Sequence, residues 1–134
     1  MKFRVKTKGH YDFIDITNYI QQAVIAAKAQ QGIALVFVAG STAAITTLEY
    51  EQGVIKDLTN VLERIAPEDA DYLHHQKWGD RNGAAHIKSA LIGTDLNIPI
   101  ENGRLILGSW QQVVLIDFDE RPRDREIVVK IISD

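Results

Sequence analysis

The apolar residues of this chain recur with the period of two typical of strands and the period of 3.6 typical of helices. The strand pattern appears first, at the N-terminus. Residues 3–7 alternate apolar or β-branched side chains with Lys and Arg, which predicts a strand with one buried face. Residues 33–39, IALVFVA, are apolar throughout, so we predict a central strand that is buried on both faces. Gly40 interrupts this run, and the Thr-rich segment 41–50 predicts a further strand that ends at Glu49.

Helical spacing of the apolar residues predicts two helices in the N-terminal half. Asp15 or Thr17 caps the first helix, and Gly32 follows as its expected end. The apolar residues of this helix are Tyr19, Ile20, Ala23, Val24 and Ala27. The second helix ends before Pro67 and has one apolar face, formed by Val54, Leu58, Val61, Leu62 and Ile65.

The C-terminal half is dominated by predicted strands. Residues 67–83 are polar and lack periodicity, which predicts a long loop of a kind that is often functional. Residues 84–93 fit a strand or a short helix equally well. Strands follow in LNIPI, RLILG, WQQVVLIDFD and REIVVKIIS, with a turn at 101–103 and a hairpin-like turn at 120–124. This order favours one α+β domain over residues 1–134, with a mostly antiparallel β-sandwich-like core and two helices.

Composition and charge narrow the class of protein. A hydrophobic share of 46% and a charged share of 25% are ordinary for a globular domain and argue against disorder. The net charge of −3 gives no general attraction to polyanions, so we expect no nucleic-acid partner. Because the chain has no cysteine, any metal must be bound by His, Asp, Glu or backbone oxygen. We find neither the roughly 20 apolar residues of a membrane span nor a signal peptide, and we expect a soluble cytoplasmic protein.

Three residues in and beside the polar segment form a candidate metal site. His74, Asp80 and His86 are spaced six positions apart, so they converge only if the loop folds back on itself. Imidazole and carboxylate ligands suit a divalent metal such as Zn²⁺ or Mn²⁺. Gly79 and Gly83 permit the sharp turns that such convergence needs. The alternative is a surface loop that happens to contain histidines, and spacing alone favours that alternative.

Other charged residues have both a functional and a structural interpretation. Arg121, Arg123 and Arg125 occupy alternate positions, so in an extended segment they share one face and could converge on a phosphate. Alternatively they pair with neighbouring carboxylates at a charged hairpin tip, which the sequence favours. Glu49 is expected to be a partly buried acid, either paired with an Arg or poised for proton transfer. We expect His10 to be an ordinary surface residue.

A set of motifs runs through residues 36–131. They are a Thr-rich strand ending in Glu, the pattern Y-x-H, a D-x-N…H-x-K-S run, I-P…G-R-L-x-L-G-S-W-Q, and R-x-R before the last strand. The most specific part is HIKSALIGTDLNIPIENGRLILGSWQ, residues 86–111. Together these motifs resemble the YjbQ-like family, whose members are named secondary thiamine-phosphate synthases. The resemblance implies a small α+β domain that assembles as a homotrimer, with a histidine-lined polar pocket for a divalent metal or an anion.

The resemblance also assigns residues to that pocket. His74, Asp80 and His86 match the family positions that imply a metal site. Glu49 and Arg125 match family positions to which we assign a catalytic role. The chain departs from the family pattern at three positions, which are Gly40, Arg81 and Ser109.

These assignments lead to the hypothesis of a metal-assisted enzyme that acts on a phosphorylated small molecule. In the reaction that the resemblance implies, a hydroxymethylpyrimidine diphosphate joins a thiazole phosphate with loss of pyrophosphate. The metal and Arg125 would neutralise charge on the leaving diphosphate, and Glu49 would act as a base or support a ligand histidine. The alternative is a homotrimer that binds an anion or phosphate ligand without catalysis. His75 matches no family position, and we expect it to be incidental.

Overall fold

A computed structural model describes residues 1–134, apart from the side chain of Trp78. Within this description, eight strands and four helices follow one another along the chain. The strands are β1 Lys2–Thr7, β2 Asp12–Asp15, β3 Gln31–Val38, β4 Ala43–Leu48, β5 Asp95–Glu101, β6 Arg104–Leu105, β7 Gln112–Asp117 and β8 Arg123–Ser133. The helices are α1 Thr17–Ala26, α2 Gln52–Ile65, α3 Leu73–Trp78 and α4 Gly83–Ile92.

Two antiparallel sheets build the fold. A five-stranded sheet has the order β1-β8-β3-β5-β6, and a three-stranded sheet has the order β2-β7-β4. Side chains from both sheets, such as Val36 and Leu115, form the main core together with residues of α1 such as Ile20. The predicted α+β fold with a mostly antiparallel, sandwich-like core is therefore confirmed.

A second core lies on the other face of the three-stranded sheet. Because consecutive residues of a strand point to opposite faces, Val113 and Leu115 of β7 belong to the main core, and Val114 and Ile116 belong to the second core. Helices α2 and α4 cover the second core, for example through Leu62. This layer places α4, which carries His86, directly on the sheet.

The prediction that residues 33–39 are buried on both faces is wrong. Burial alternates along β3, with Val36 and Val38 fully buried and Ile33 and Phe37 exposed by 43% and 40%. Apolar side chains on the outer face of this sheet hid the alternation in the sequence. The strand that is buried on both faces is β7 instead.

Several predicted boundaries also differ from the fold. Residues 67–83 contain α3, and residues 84–93 form most of α4, so the structure has four helices rather than two. Residues 120–124 do not form a hairpin turn, because β7 and β8 belong to different sheets. Gly32 lies within β3 and not at the end of α1, whereas the predicted turn at 101–103 does join β5 to β6. None of the described helices is long and apolar enough to cross a membrane.

Candidate functional site

Helices α3 and α4 bring the three predicted metal ligands together. His74 lies on α3, His86 lies on α4, and Asp80 lies in the loop between them. The ring centroids of His74 and His86 are 4.5 Å apart, and the ring planes are tilted by 35°. His74 Nδ1 lies 3.9 Å from Asp80 Oδ1. The chain thus folds back as metal binding at these residues would require.

Among the described side chains, His74 Nδ1 and Asp80 Oδ1 are buried without a hydrogen-bond partner, as are His75 Nδ1 and Asn82 Oδ1 of the same segment. Two ligands of a tetrahedral ion at about 2.1 Å lie about 3.4 Å apart, so His74 Nδ1 and Asp80 Oδ1 could share one ion after approaching each other by about 0.5 Å. Among the described side chains, however, no group of three or more His, Asp or Glu is already placed to hold a metal ion. The third donor, His86, would have to turn its ring, which now lies over that of His74.

The surroundings of His86 favour its neutral form. Burial lowers the pKa of His86 below its ordinary value, and the charge of the neighbouring His74 lowers it further. The carboxylates of Asp119 and Asp80 oppose this shift without cancelling it. A neutral imidazole has a lone pair available for a metal, so this environment suits a ligand.

Local contacts hold the loop between α3 and α4. Gly79 ends α3 with a φ of 76°, a left-handed conformation that favours glycine. Gly83 begins α4 at a point where a Cβ atom would lie 2.6 Å from Tyr72 Cβ. The Gly83 N–H donates a hydrogen bond of 3.0 Å to His75 Nε2. His75 thus has a structural contact at the start of α4, and that it has no role in the candidate metal site stays a prediction.

Arg125 is buried in a network of ion pairs. Its Nε and Nη2 atoms donate to the two carboxylate oxygens of Asp117 at 2.7 and 2.9 Å, and Nη2 also donates to Thr42 Oγ1. Arg123 Nε donates to Asp119 Oδ2 at 3.0 Å. The guanidinium groups of Arg123 and Arg125 are thus paired with carboxylates, which favours the structural interpretation of this segment.

The carboxyl group of Asp119 is stabilised as an anion. Burial raises the pKa of this group, but hydrogen bonds from the Thr42 hydroxyl and the Glu120 N–H and the charge of Arg123 outweigh burial. The pKa of Asp119 therefore lies below its ordinary value. The network is charge-balanced within the protein and needs no external anion.

An open cleft of about 490 Å³ lies beside the histidines. Gly40, Ser41, His86 and Ser89 are among the residues that line it. Arg125 Nη1 lies behind Gly40, 2.7 Å from the point that a Cβ atom of residue 40 would occupy. The cleft therefore combines an imidazole with the hydroxyl of Ser41, and the carboxylate of Asp95 also lines it.

Glu49 lies apart from these residues. It follows the far end of β4, roughly 20 Å from Thr42 by the rise of an extended strand. The prediction of a partly buried acid is wrong, since Glu49 is exposed. Trp110, which also matches the family pattern, is 74% exposed. One chain by itself therefore does not bring Glu49 to the histidines.

The sequence interpretation missed two buried charged residues, Asp117 and Lys88, which are 0% and 1% exposed. In each case the available signal was a charge within an apolar segment, VVLID or AAHIKSALI. Such a charge is buried only when it is paired, so its position marks an interaction that the apolar pattern does not reveal.

Known proteins are similar to this chain in sequence and in fold over its whole length or nearly so. A family model described as "UPF0047 protein YjbQ-like" matches residues 1–134. The UPF0047 protein of Methanocaldococcus jannaschii is 38% identical over 134 residues, covering 99% of this chain and 94% of that protein. The UPF0047 protein of Archaeoglobus fulgidus is 33% identical over 132 residues, covering 98% and 100%.

Solved structures agree with this relationship. The crystal structure of an uncharacterized conserved protein from Clostridium acetobutylicum has a TM-score of 0.89 and 38% identity, covering 98% of this chain and 99% of that chain. A YbjQ-like protein of unknown function from Sulfolobus solfataricus has a TM-score of 0.90 and 28% identity, covering 100% and 97%. Sequence and fold together show that the chain belongs to the YjbQ-like UPF0047 family.

Proposed function

We propose that the protein is a metal-assisted enzyme of the secondary thiamine-phosphate synthase type, which acts on phosphorylated small molecules as a homotrimer. The observation that carries this proposal is that α3 and α4 bring His74, Asp80 and His86 close together, with His74 Nδ1 and Asp80 Oδ1 both buried. The adjoining cleft of about 490 Å³ supports it by offering space for a substrate beside His86.

His74 Nδ1, Asp80 Oδ1 and a nitrogen of His86 would hold a divalent cation. Two imidazoles and one carboxylate suit Zn²⁺ better than Mg²⁺, which prefers oxygen ligands, and Mn²⁺ lies between them. When bound, the cation supplies positive charge that stabilises negative charge on a phosphate group. Because His86 favours its neutral form, it needs no loss of a proton to act as a ligand.

In the proposed reaction a hydroxymethylpyrimidine diphosphate joins a thiazole phosphate. The thiazole ring nitrogen supplies the electron pair of a new C–N bond to the pyrimidine methylene carbon, the C–O bond to the diphosphate breaks, and pyrophosphate leaves with the electrons of that bond. Negative charge grows on this leaving group, and a cation bound at the histidines would favour its departure, because Arg125 is already paired with Asp117. Glu49 is too far from the histidines of its own chain, so it acts as a base only if a neighbouring chain of the homotrimer supplies it.

Release of pyrophosphate from these two substrates tests the proposal. We expect turnover with added Zn²⁺ or Mn²⁺, and we expect His86→Ala to lower kcat/KM by more than about 100-fold, since even outer-shell partners of metal ligands are worth 10–100-fold. His10→Ala is the matched control, because it removes a histidine outside the site. The proposal fails if the protein binds no divalent metal and His86→Ala leaves turnover of every tested phosphorylated substrate unchanged.

A second candidate is a homotrimer that binds a phosphate-containing ligand without changing it. The described side chains favour it in one respect, because they contain no preformed three-residue metal group. Calorimetry with product analysis separates the two candidates. A binding protein should hold the phosphate ligand tightly and return it unaltered, whereas an enzyme should convert it.

A further inference from the structure

A charged side chain is buried under the helix that carries His86. Lys88 on α4 is 1% exposed. Its Nζ donates a hydrogen bond of 2.8 Å to Glu63 Oε1 on α2 and lies 4.3 Å from the centre of the Tyr11 ring. The Tyr11 hydroxyl donates to the same Glu63 oxygen. We call Tyr11, Glu63 and Lys88 the Lys88 network.

The Lys88 network joins the turn after β1, helix α2 and helix α4 at one point. Tyr11 has a φ of 66°, a left-handed conformation that is costly for a bulky residue and persists only where surrounding contacts require it. The neighbouring Ser89 adds another attachment, since its hydroxyl donates to the Ala43 carbonyl of β4 at 2.6 Å. Directed polar contacts therefore fix the inner side of α4 to the fold.

His86 projects from the other side of the same helix. Residues two positions apart on an α-helix are separated by about 200° around its axis. Lys88 accordingly faces the core, while His86 lies against His74 and lines the cleft. A rotation of α4 that moved Lys88 out of the core would therefore also move the His86 ring.

In this ion pair Lys88 is buried and the Glu63 side chain is 37% exposed, and the energetics of burying the lysine favour a role in positioning. Removing two charges from water offsets most of their attraction, so such a pair adds little net stability compared with apolar residues of similar volume. Hydrogen bonds are directional, whereas apolar contacts allow α4 to shift and rotate. We propose that Lys88 is a positioning residue, which acts through α4 to hold His86 opposite His74. This inference rests on the proposed function, since it concerns the same candidate metal site.

Replacing both charged partners tests this proposal. Lys88→Met/Glu63→Gln leaves no unpaired buried charge, so the protein should fold with nearly wild-type resistance to urea. NMR should nevertheless show loss of the NOE between the His74 and His86 rings, and the affinity for cobalt(II) should fall at least about tenfold. The matched control is Lys2→Met/Glu126→Gln, which makes the same changes in a pair whose lysine is exposed and should alter neither measurement.

An unchanged ring contact and unchanged cobalt affinity in the double variant would overturn the proposal. If the double variant does not fold, Tyr11→Phe provides the test instead. This substitution removes the hydrogen bond from Tyr11 to Glu63 and leaves the ion pair between Lys88 and Glu63. A loss of cobalt affinity of about threefold then supports the proposal, and wild-type affinity overturns it. If the wild-type protein binds no cobalt, the proposed function is contradicted. The role of Lys88 is still tested in that case, because the NOE between the histidine rings reports the position of α4 without a metal.

Discussion

Among the described side chains, four buried polar atoms lack a hydrogen-bond partner, and two of them, His74 Nδ1 and Asp80 Oδ1, belong to the candidate site. A buried donor or acceptor without a partner costs about 1–3 kcal/mol, so such atoms are rare in folded proteins. A cation between them would satisfy both atoms at once. The unpartnered atoms are therefore the strongest argument for a ligand at this position.

Arg125 allows a direct test of the buried ion pairs. Arg125→Met should destabilise the protein by about 3–5 kcal/mol, because it leaves the fully buried Asp117 carboxylate without its bidentate partner. Urea denaturation measures this change. The exposed Arg121 provides the matched control, and Arg121→Met should stay within about 0.5 kcal/mol of wild type. Equal stability of the two variants would show that Asp117 does not depend on Arg125.

His10 predicts a specific dependence of stability on pH. Its hydrogen bond to Glu68 raises the pKa of His10 above its ordinary value of 6.5, despite partial burial. A raised pKa in the folded state means that the pair contributes its full stability below pH 6.5, and that this contribution is lost as the pH rises through the folded-state pKa.

Urea denaturation at a series of pH values measures the His10 effect. We expect the difference in unfolding free energy between wild type and His10→Ala to shrink as the pH rises through that range. A difference that is constant with pH, or that grows with pH, would contradict the assignment of the ion pair to His10 and Glu68.

At the scale of elements, sequence periodicity predicted the strands and helices that bury only one of their faces. β1 and α2 lie where the pattern placed them, although of the predicted apolar face of α2 only Leu62 is fully buried, and Val61 and Ile65 are exposed. The six-residue helix α3 was missed, since it lies in a polar segment and has too few turns to show a period. Residues 120–124 resembled a hairpin because local turn chemistry does not tell which sheet the next strand joins.

The candidate site was predictable only in part. The convergence of His74, Asp80 and His86 was inferred from the family resemblance, because their spacing is not helical. The Lys88 network depends on contacts between distant elements, and Tyr11, Glu63 and Lys88 carry no mutual pattern in the sequence. Pairing between elements is set by the packing of α2 and α4 on the sheet, which periodicity does not specify.

Gly83→Ala tests the contact that begins α4. Helix propensity alone predicts that Ala stabilises a helix relative to Gly by about 1 kcal/mol. The fold predicts the opposite sign, since the new Cβ would meet Tyr72 Cβ at 2.6 Å and overpacking costs about 1–3 kcal/mol. A lower midpoint of urea denaturation is therefore expected. A higher midpoint would show that the segment before α3 shifts freely.

At the scale of the whole molecule, the exposed apolar residues are consistent with the proposed homotrimer. Leu73 and Trp110 are exposed by 82% and 74%, and Ile33 and Phe37 lie on the open face of the larger sheet. Large exposed apolar surfaces are characteristic of interaction sites. Light scattering should give the mass of three chains of 15.0 kDa each. A monomer at micromolar concentration would contradict the trimer.

The central claim is that His74, Asp80 and His86 hold a divalent metal, and calorimetric titration of the purified protein with Zn²⁺ tests it most directly. We expect the wild type to bind one ion per chain, and Asp80→Ala and His86→Ala should weaken this binding by at least about tenfold. His10→Ala, the control outside the site, should bind as wild type does. No binding by the wild type, or equal binding by all four proteins, would contradict the claim.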